Sequence, residues 1–307
     1  MSLRNLLNMD PRQILNLSQF QQGKDLQVVV HPSWSIYFGE DYNEHQSLQK
    51  VVNHLLDEVY EKATTLNEVS EHDFLYFNGH FIDWFKEKNN PKCKKTETYL
   101  EIVSSILEVY EYLSQQSHLI SIRNSNQLCV LLLPKNFDQT HLSPNPFYEF
   151  LREITNEQLN FVYLETRDYD NGTIEENELE KLKEVYELLG LKKIHLFGGI
   201  LGSCLYDARH SILKTGLKVN IILEVSEGNQ LIMESTLKHP RAPYNLKNIP
   251  NFDKLSQKVD YLLKNPIDLS QIYSLKGLPF DEQLSGLKNY KSFIYTLNQI
   301  KKIVYKI

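Results

Sequence analysis

The fold is decided by residues 194–225, which read IHLFGGILGSCLYDARHSILKTGLKVNIILEV. The apolar runs Ile194–Phe197 and Val219–Val225 predict two buried strands. Between them, a glycine-containing loop leads into a helix predicted over Cys204–Lys214, and Gly216 is expected to end that helix. The stretch therefore predicts a strand, a helix and a second strand in succession, which is how neighbouring parallel strands are connected.

The preceding segments continue this alternation of strands and helices. Thr173-Ile-Glu-Glu176 reads as a capping box that begins a helix, and Gly190 is expected to end it. Helical spacing of apolar residues predicts two more helices, over about 48–59 and 102–113. Apolar runs predict three further strands, at Leu26–Val30, Leu128–Leu133 and Phe161–Leu164. Because several strands are almost continuously apolar, we expect a three-layer α/β/α fold with a mainly parallel sheet that is covered on both faces.

The composition is that of an ordinary globular protein. The chain has 307 residues, of which 41% are apolar and 23% are charged, so neither disorder nor a fibrous repeat is expected. A net charge of −6 gives no overall field that would gather nucleic acid or an anionic membrane surface. No run approaches the length of a membrane span and no signal peptide is recognisable, so we expect a cytoplasmic protein that binds neither nucleic acid nor membrane.

Two segments are expected to lie outside the predicted sheet. Aromatic residues followed by the polar run Lys86–Lys95 indicate an insertion with a solvated loop, which we place at about 71–125. After the breaker cluster His239–Pro243, short helical patterns predict a helical extension. The expected organisation is an α/β domain over 1–235 that contains the insertion, and a helical C-terminal extension over 236–307 that packs on it.

Cys204 has the clearest chemical potential in this pattern. A cysteine in the first turn of a helix has its thiolate favoured by the helix dipole. The glycines before it would let the backbone N–H groups of Leu201, Gly202 and Ser203 approach an oxyanion. These are the requirements of an acyl-transfer nucleophile. The alternative is a buried structural thiol, because free cysteine is among the most buried residue types.

The glycines around Cys204 have a characteristic spacing. Gly198 precedes the cysteine by six positions, and Gly216 follows it by twelve, directly before an apolar strand. This segment resembles the nucleophile segment of the isochorismatase-like cysteine hydrolases, the superfamily of nicotinamidases and N-carbamoyl amidases. The resemblance covers about Phe161–Val225 and, less closely, Leu26–Phe38. It implies the superfamily's fold and a catalytic triad of Asp, Lys and Cys.

Two positions depart from that triad. His31 stands where the superfamily's first strand ends in aspartate. Glu165, which is followed by Thr166 and Arg167, stands at the lysine position. Imidazole is the commonest base for a thiol, and a carboxylate can orient an imidazole. The resemblance therefore implies either a rewired site, with Cys204 as nucleophile, His31 as base and Glu165 as orienter, or a scaffold that has lost the reaction.

Metal and nucleotide sites are not predicted. His72 and His80 are eight residues apart, which fits no common ligand motif, and Asp138 and His141 lack the spacing of the superfamily's metal pair. The glycine loop does not have the Gly-x-Gly-x-x-Gly spacing and is not followed by the Lys-Ser/Thr of a phosphate-binding loop. We therefore expect neither a metal nor a cofactor.

Two functions remain open at this point. The first is a cysteine-dependent hydrolase that acts on a small amide or a related planar metabolite. The second is an inactive scaffold that binds an anionic or aromatic small molecule at the glycine loop, or that uses its added helices to bind another protein. A small-molecule ligand is the expected partner of the site. Because superfamily members are often homo-oligomers, the resemblance also allows a homo-oligomer.

Overall fold

The structure is a computed structural model. It describes the following residues: 25–32, 48–67, 91–125, 127–135, 151, 153–155, 160–167, 171–228, 268–291, 294–295, 298–299 and 301–302. His72, His80, Asp138 and His141, whose spacing does not fit a metal site, lie outside the described residues.

Within the described residues, five strands form one sheet in which every neighbouring pair is parallel. They are β1 (Leu26–Val30), β2 (Cys129–Pro134), β3 (Phe161–Thr166), β4 (Ile194–Ile200) and β5 (Val219–Glu227). Their order across the sheet is β3-β2-β1-β4-β5. The chain therefore has an α/β fold, and the five predicted strands and their parallel arrangement are confirmed.

Helices precede, connect and follow these strands. They are α1 (Leu48–Asn67), α2 (Pro91–Asn124), α3 (Glu176–Leu188), α4 (Cys204–Lys214), α5 (Leu269–Tyr273) and α6 (Phe280–Lys288). The predicted helices within 48–59 and 102–113 are confirmed, but α2 is longer than expected. It begins at Pro91, where a helix tolerates proline because the first N–H groups have no intrahelical acceptor. Residues 91–95 are thus helical and not part of a solvated loop. No helix in the described ranges combines the length and the apolar character that crossing a membrane requires.

The connection between β3 and α3 starts differently from the prediction. The residue that caps α3 is Glu175, whose side chain makes no capping hydrogen bond, so the predicted capping box is wrong. Ile174 instead forms an antiparallel bridge with Thr166, which ties the turn to the end of β3. The predicted helix ends are confirmed: Gly190 and Gly216 follow α3 and α4 with φ of 59° and 80°, a left-handed conformation that glycine adopts without strain.

The centre of the sheet is fully buried. All residues of β1 and β2 are buried, and β1 lies between β2 and β4, with Val28 paired to both Val130 and Leu196. Fully burying one such aliphatic side chain contributes about 1.5–3 kcal/mol, so these strands supply much of the stability of the sheet. The candidate site lies at the carboxyl end of this rigid centre.

The chain divides into two compact units. One comprises Met1–Leu48 and Ser114–Glu227 and contains the sheet, and the other comprises Gln49–Leu113 and Gly228–Ile307. Within the second unit, Lys276 forms an ion pair with Asp57, and the Gly277 N–H donates to Asn53 Oδ1 at 3.0 Å. This division differs from the predicted boundary at residue 235, because the C-terminal helices contact residues that the sequence assigned to the sheet domain.

Candidate functional site

The candidate site lies at the carboxyl ends of β1 and β4. The strand order changes direction between these two strands, because β2 and β3 continue from β1 on one side and β5 continues from β4 on the other. In open parallel sheets, ligands bind in the crevice at such a switch point. His31 directly follows β1, and Cys204 begins α4 shortly after β4. The fold thus brings two of the three predicted catalytic residues to the same edge of the sheet.

Two glycines allow the start of α4 to lie close against this edge. A β-carbon on Gly199 would overlap the Cys204 Sγ. The same β-carbon would lie 3.0 Å from the Val30 carbonyl oxygen and 3.7 Å from the His31 Cβ. On the other side, a β-carbon on Gly172 would overlap the Cys204 carbonyl group. The thiol and the His31 Cβ therefore lie within 4 Å of one point, and the close approach requires glycine at both positions.

The Cys204 thiol is buried and carries its proton. The residue is only 2% exposed. Burial raises the pKa of the thiol to about 12, and the negative charge of Glu227 acts in the same direction. Hydrogen bonding from the backbone of Ile200, Leu205 and Cys204 itself favours the thiolate but does not outweigh burial. The helix-stabilised thiolate expected from the sequence is therefore not the resting state of Cys204.

His31 is a neutral, buried imidazole in an uncommon backbone conformation. Its φ is 36°, in the left-handed region that only a few per cent of non-glycine residues adopt. Its Nε2 makes a hydrogen bond of 2.7 Å with Thr166 Oγ1. Burial lowers the pKa of His31 to about 3. Taking up the thiol proton would place a positive charge on this buried imidazole, which burial disfavours, and this argues against the predicted role of His31 as the base.

The contact predicted between Glu165 and His31 is made by Thr166 instead. Successive side chains of a strand point to opposite faces, so when Thr166 faces His31, Glu165 faces away from it. The charges that act on Glu165 are those of Glu178, Lys135, Lys181 and Glu175, and the Glu165 N–H donates to a Glu178 carboxylate oxygen at 3.4 Å. Burial and the Glu178 charge raise the pKa of Glu165. The alternation of side chains along β3 was the signal that could have identified Thr166 as the partner of His31.

The predicted oxyanion donors are largely engaged within the protein. The Leu201 N–H donates to the Glu227 carbonyl oxygen at 2.9 Å, and the Ser203 N–H donates to the Ile200 carbonyl oxygen at 3.0 Å. Gly202 lies between them in the turn that leads to α4. Leu201 and Ser203 are thus not positioned as oxyanion donors in this conformation, because the loop uses their N–H groups to close the turn.

Within the described residues, no group of three or more His, Cys, Asp or Glu side chains is arranged to hold a metal ion. Among the described residues, the switch point brings together the Cys204 thiol, the His31 imidazole and the Thr166 hydroxyl, and the charge of Glu227 acts on the thiol. Such a set can donate and accept hydrogen bonds to an organic ligand.

Comparison of the chain with protein-family models, with curated proteins and with solved structures finds no match in any of the three. The function is therefore inferred from the geometry of the site.

Proposed function

We propose that the protein binds an uncharged, planar small molecule, such as an aromatic amide, at the carboxyl ends of β1 and β4. In this proposal the chain has the three-layer isochorismatase-like architecture but not the superfamily's triad. One observation carries it: the strand order places His31 and Cys204 together at the switch point, in protonation states that suit hydrogen bonding better than catalysis.

The ligand class follows from the charges at the site. His31 is uncharged and its Nε2 is bonded to Thr166 Oγ1, and the Thr166 hydroxyl, which has one O–H and two lone pairs, can make a further hydrogen bond to a ligand. The Glu227 charge that acts on the Cys204 thiol would also disfavour an anion bound beside that thiol. An uncharged amide has both a donor and an acceptor and brings no charge into a buried site, so it fits better than the anionic ligand that the sequence left open.

The binding proposal is tested by thermal unfolding in the presence of benzamide and, separately, benzoate. At ten times its Kd, benzamide is expected to raise Tm by about 2 °C, and benzoate is expected to raise it less. Thr166→Val, which keeps the shape of the side chain but removes the hydroxyl, should reduce the benzamide shift. Thr155→Val, which removes a buried hydroxyl outside the site, should not. Absence of a benzamide shift, or an undiminished shift in Thr166→Val, would show that the proposal is wrong.

A second candidate function is a cysteine-dependent hydrolase of a small amide or ester. The observation that favours it is the buried Glu227, which ends β5, pairs with Ile200 and is the charged residue that acts on the Cys204 thiol. On attack, the Sγ would bond to the acyl carbon while the thiol proton passes to the Glu227 carboxylate, and the leaving amine or alcohol would depart with that proton. Water would then hydrolyse the thioester to a carboxylic acid and restore the thiol.

The hydrolase candidate is tested with p-nitrophenyl acetate. The wild-type protein should become acetylated at Cys204, detected by peptide mass spectrometry, and Cys204→Ser should release nitrophenolate at the uncatalysed rate. Glu227→Gln should slow acetylation by about a hundredfold if its carboxylate accepts the proton. Glu224→Gln, at an exposed position of the same strand, serves as the matched control. Wild-type protein that reacts no faster than Cys204→Ser would exclude the hydrolase and leave the binding proposal standing.

A further inference from the structure

A second polar cluster lies at the amino end of the sheet. We call Asp25, Gln27, His118 and His195 the histidine cluster. Gln27 in β1 and His195 in β4 are directly paired across the sheet, Asp25 precedes β1, and His118 lies in the part of α2 that belongs to the sheet unit. Neither the proposed binding site nor the candidate hydrolase uses these residues, because they lie at the opposite end of the strands from Cys204.

The contacts of the histidine cluster connect α2 to the two central strands. His118 Nε2 lies 3.4 Å from Gln27 Oε1. The His118 ring also meets the Phe197 ring edge to face, with 4.7 Å between the ring centroids. His195 Nε2 forms an ion pair with Asp25 Oδ2 at 2.7 Å. His195 and Phe197 are two residues apart in β4 and therefore share one face of the sheet, as Asp25 and Gln27 do along β1.

Protonation of His118 is unfavourable in this arrangement. Burial lowers the pKa of His118, and the charge of His195 lowers it further. Asp25 forms its ion pair with His195. Burial raises the pKa of the Tyr186 hydroxyl, and the negative charge of Asp25 raises it further. Because the pKa of His118 is lowered in the folded protein, a state in which α2 has released His118 binds protons more readily. The contact is therefore fully stable above the ordinary histidine pKa of about 6.5 and weakens as the pH falls below it.

We propose that the histidine cluster is a pH-sensitive clamp that holds residues 114–124 of α2 on β1 and β4 and releases them on acidification. The clamp uses one histidine as the contact and a second, ion-paired histidine to oppose its protonation. Acid therefore acts at His118, where α2 meets the sheet, and removing either histidine should alter the response in a distinct way.

The clamp is tested by native-state hydrogen exchange at several pH values, with each rate divided by the intrinsic rate at that pH. Below the ordinary histidine pKa of about 6.5, protection of the amides at 115–124 should fall with pH, by at most the roughly tenfold per pH unit that uptake of one proton allows. His118→Gln should abolish this dependence, and His195→Gln should weaken it, because a charge that opposes protonation of His118 is removed. His210→Gln, at an exposed position of α4, is the control and should behave like the wild type.

Two results would overturn the clamp. The first is hydrogen-exchange protection of the amides at 115–124 that stays constant from pH 7.5 to pH 5 in the wild type, or that falls by the same amount in His118→Gln. The second is measured on the wild-type protein. An NMR titration that gives His118 a pKa of 6.5 or above would remove the physical basis of the proposal. The second measurement decides the matter even if His118→Gln fails to fold.

Discussion

Replacing Lys301 by methionine is expected to lower the free energy of unfolding by about 3–5 kcal/mol. The Lys301 ammonium pairs with the Glu111 carboxylate, and each side chain is only 2% exposed. The same carboxylate accepts the Gly228 N–H, at 3.1 Å and 3.0 Å to its two oxygens. Methionine is unbranched like lysine and can occupy much of its space, so the main change is a buried carboxylate that has lost its counter-charge. Chemical denaturation of the full chain measures the effect.

Lys302→Met is the matched control for this prediction. Lys302 is the next residue and is exposed, so its replacement should change the free energy of unfolding by less than about 0.5 kcal/mol. Adding Glu111→Gln to Lys301→Met should recover part of the loss, because no charge then stays buried without a partner. A Lys301→Met loss as small as that of Lys302→Met would show that the buried pair contributes little.

The free energy of unfolding is expected to fall by about 5 kcal/mol between pH 7 and pH 3 on account of His31 alone. The pKa of His31 is about 3 in the folded protein, against 6.5 as its ordinary value. Below pH 6.5 the unfolded chain therefore binds a proton that the folded chain does not, and stability is lost progressively until the pH reaches about 3. The side chain is 1% exposed, so solvent does not screen this cost.

Denaturation curves of the wild type and of His31→Asn, measured across this pH range, test the effect. Asparagine suits the position because it tolerates a positive φ better than most residues. The stability of His31→Asn should depend less on pH than that of the wild type, by about the amount given above. His210→Asn, at an exposed position, should follow the wild-type curve. If His31→Asn loses the same stability in acid as the wild type, burial of His31 is not the cause.

The sheet was predictable because its signals are local. Each strand is a short apolar run, and a run such as Leu26–Val30 can be recognised without knowing its neighbours. Gly190 and Gly216 end their helices for reasons contained in the residues beside them. The start of α3 was missed because Ile174 is held by Thr166, a partner outside the local stretch, and tertiary pairing overrode the capping pattern.

The candidate site was less predictable because its contacts join distant residues. His31 and Thr166 are 135 residues apart in the sequence, and choosing Glu165 in place of Thr166 moves the contact to the other face of the strand. The protonation states of His31 and Cys204 depend on burial, which the sequence indicated only as an alternative for Cys204 and did not indicate for His31. The histidine cluster escaped notice for a related reason, since pairing of Gln27 with His195 depends on the strand order.

The discontinuous second unit has a consequence for the order in which the chain folds during synthesis. Glu111 and Lys301 are 190 residues apart, and the whole sheet-forming segment from β2 to β5 lies between them. The ribosome therefore completes the residues of the sheet before it makes those that pair with Glu111, Asp57 and Asn53. Closing so long a loop is slow compared with local contacts, so the second unit is expected to form last. In a chain that ended at residue 235, the Glu111 carboxylate of α2 would have no Lys301 ammonium to pair with.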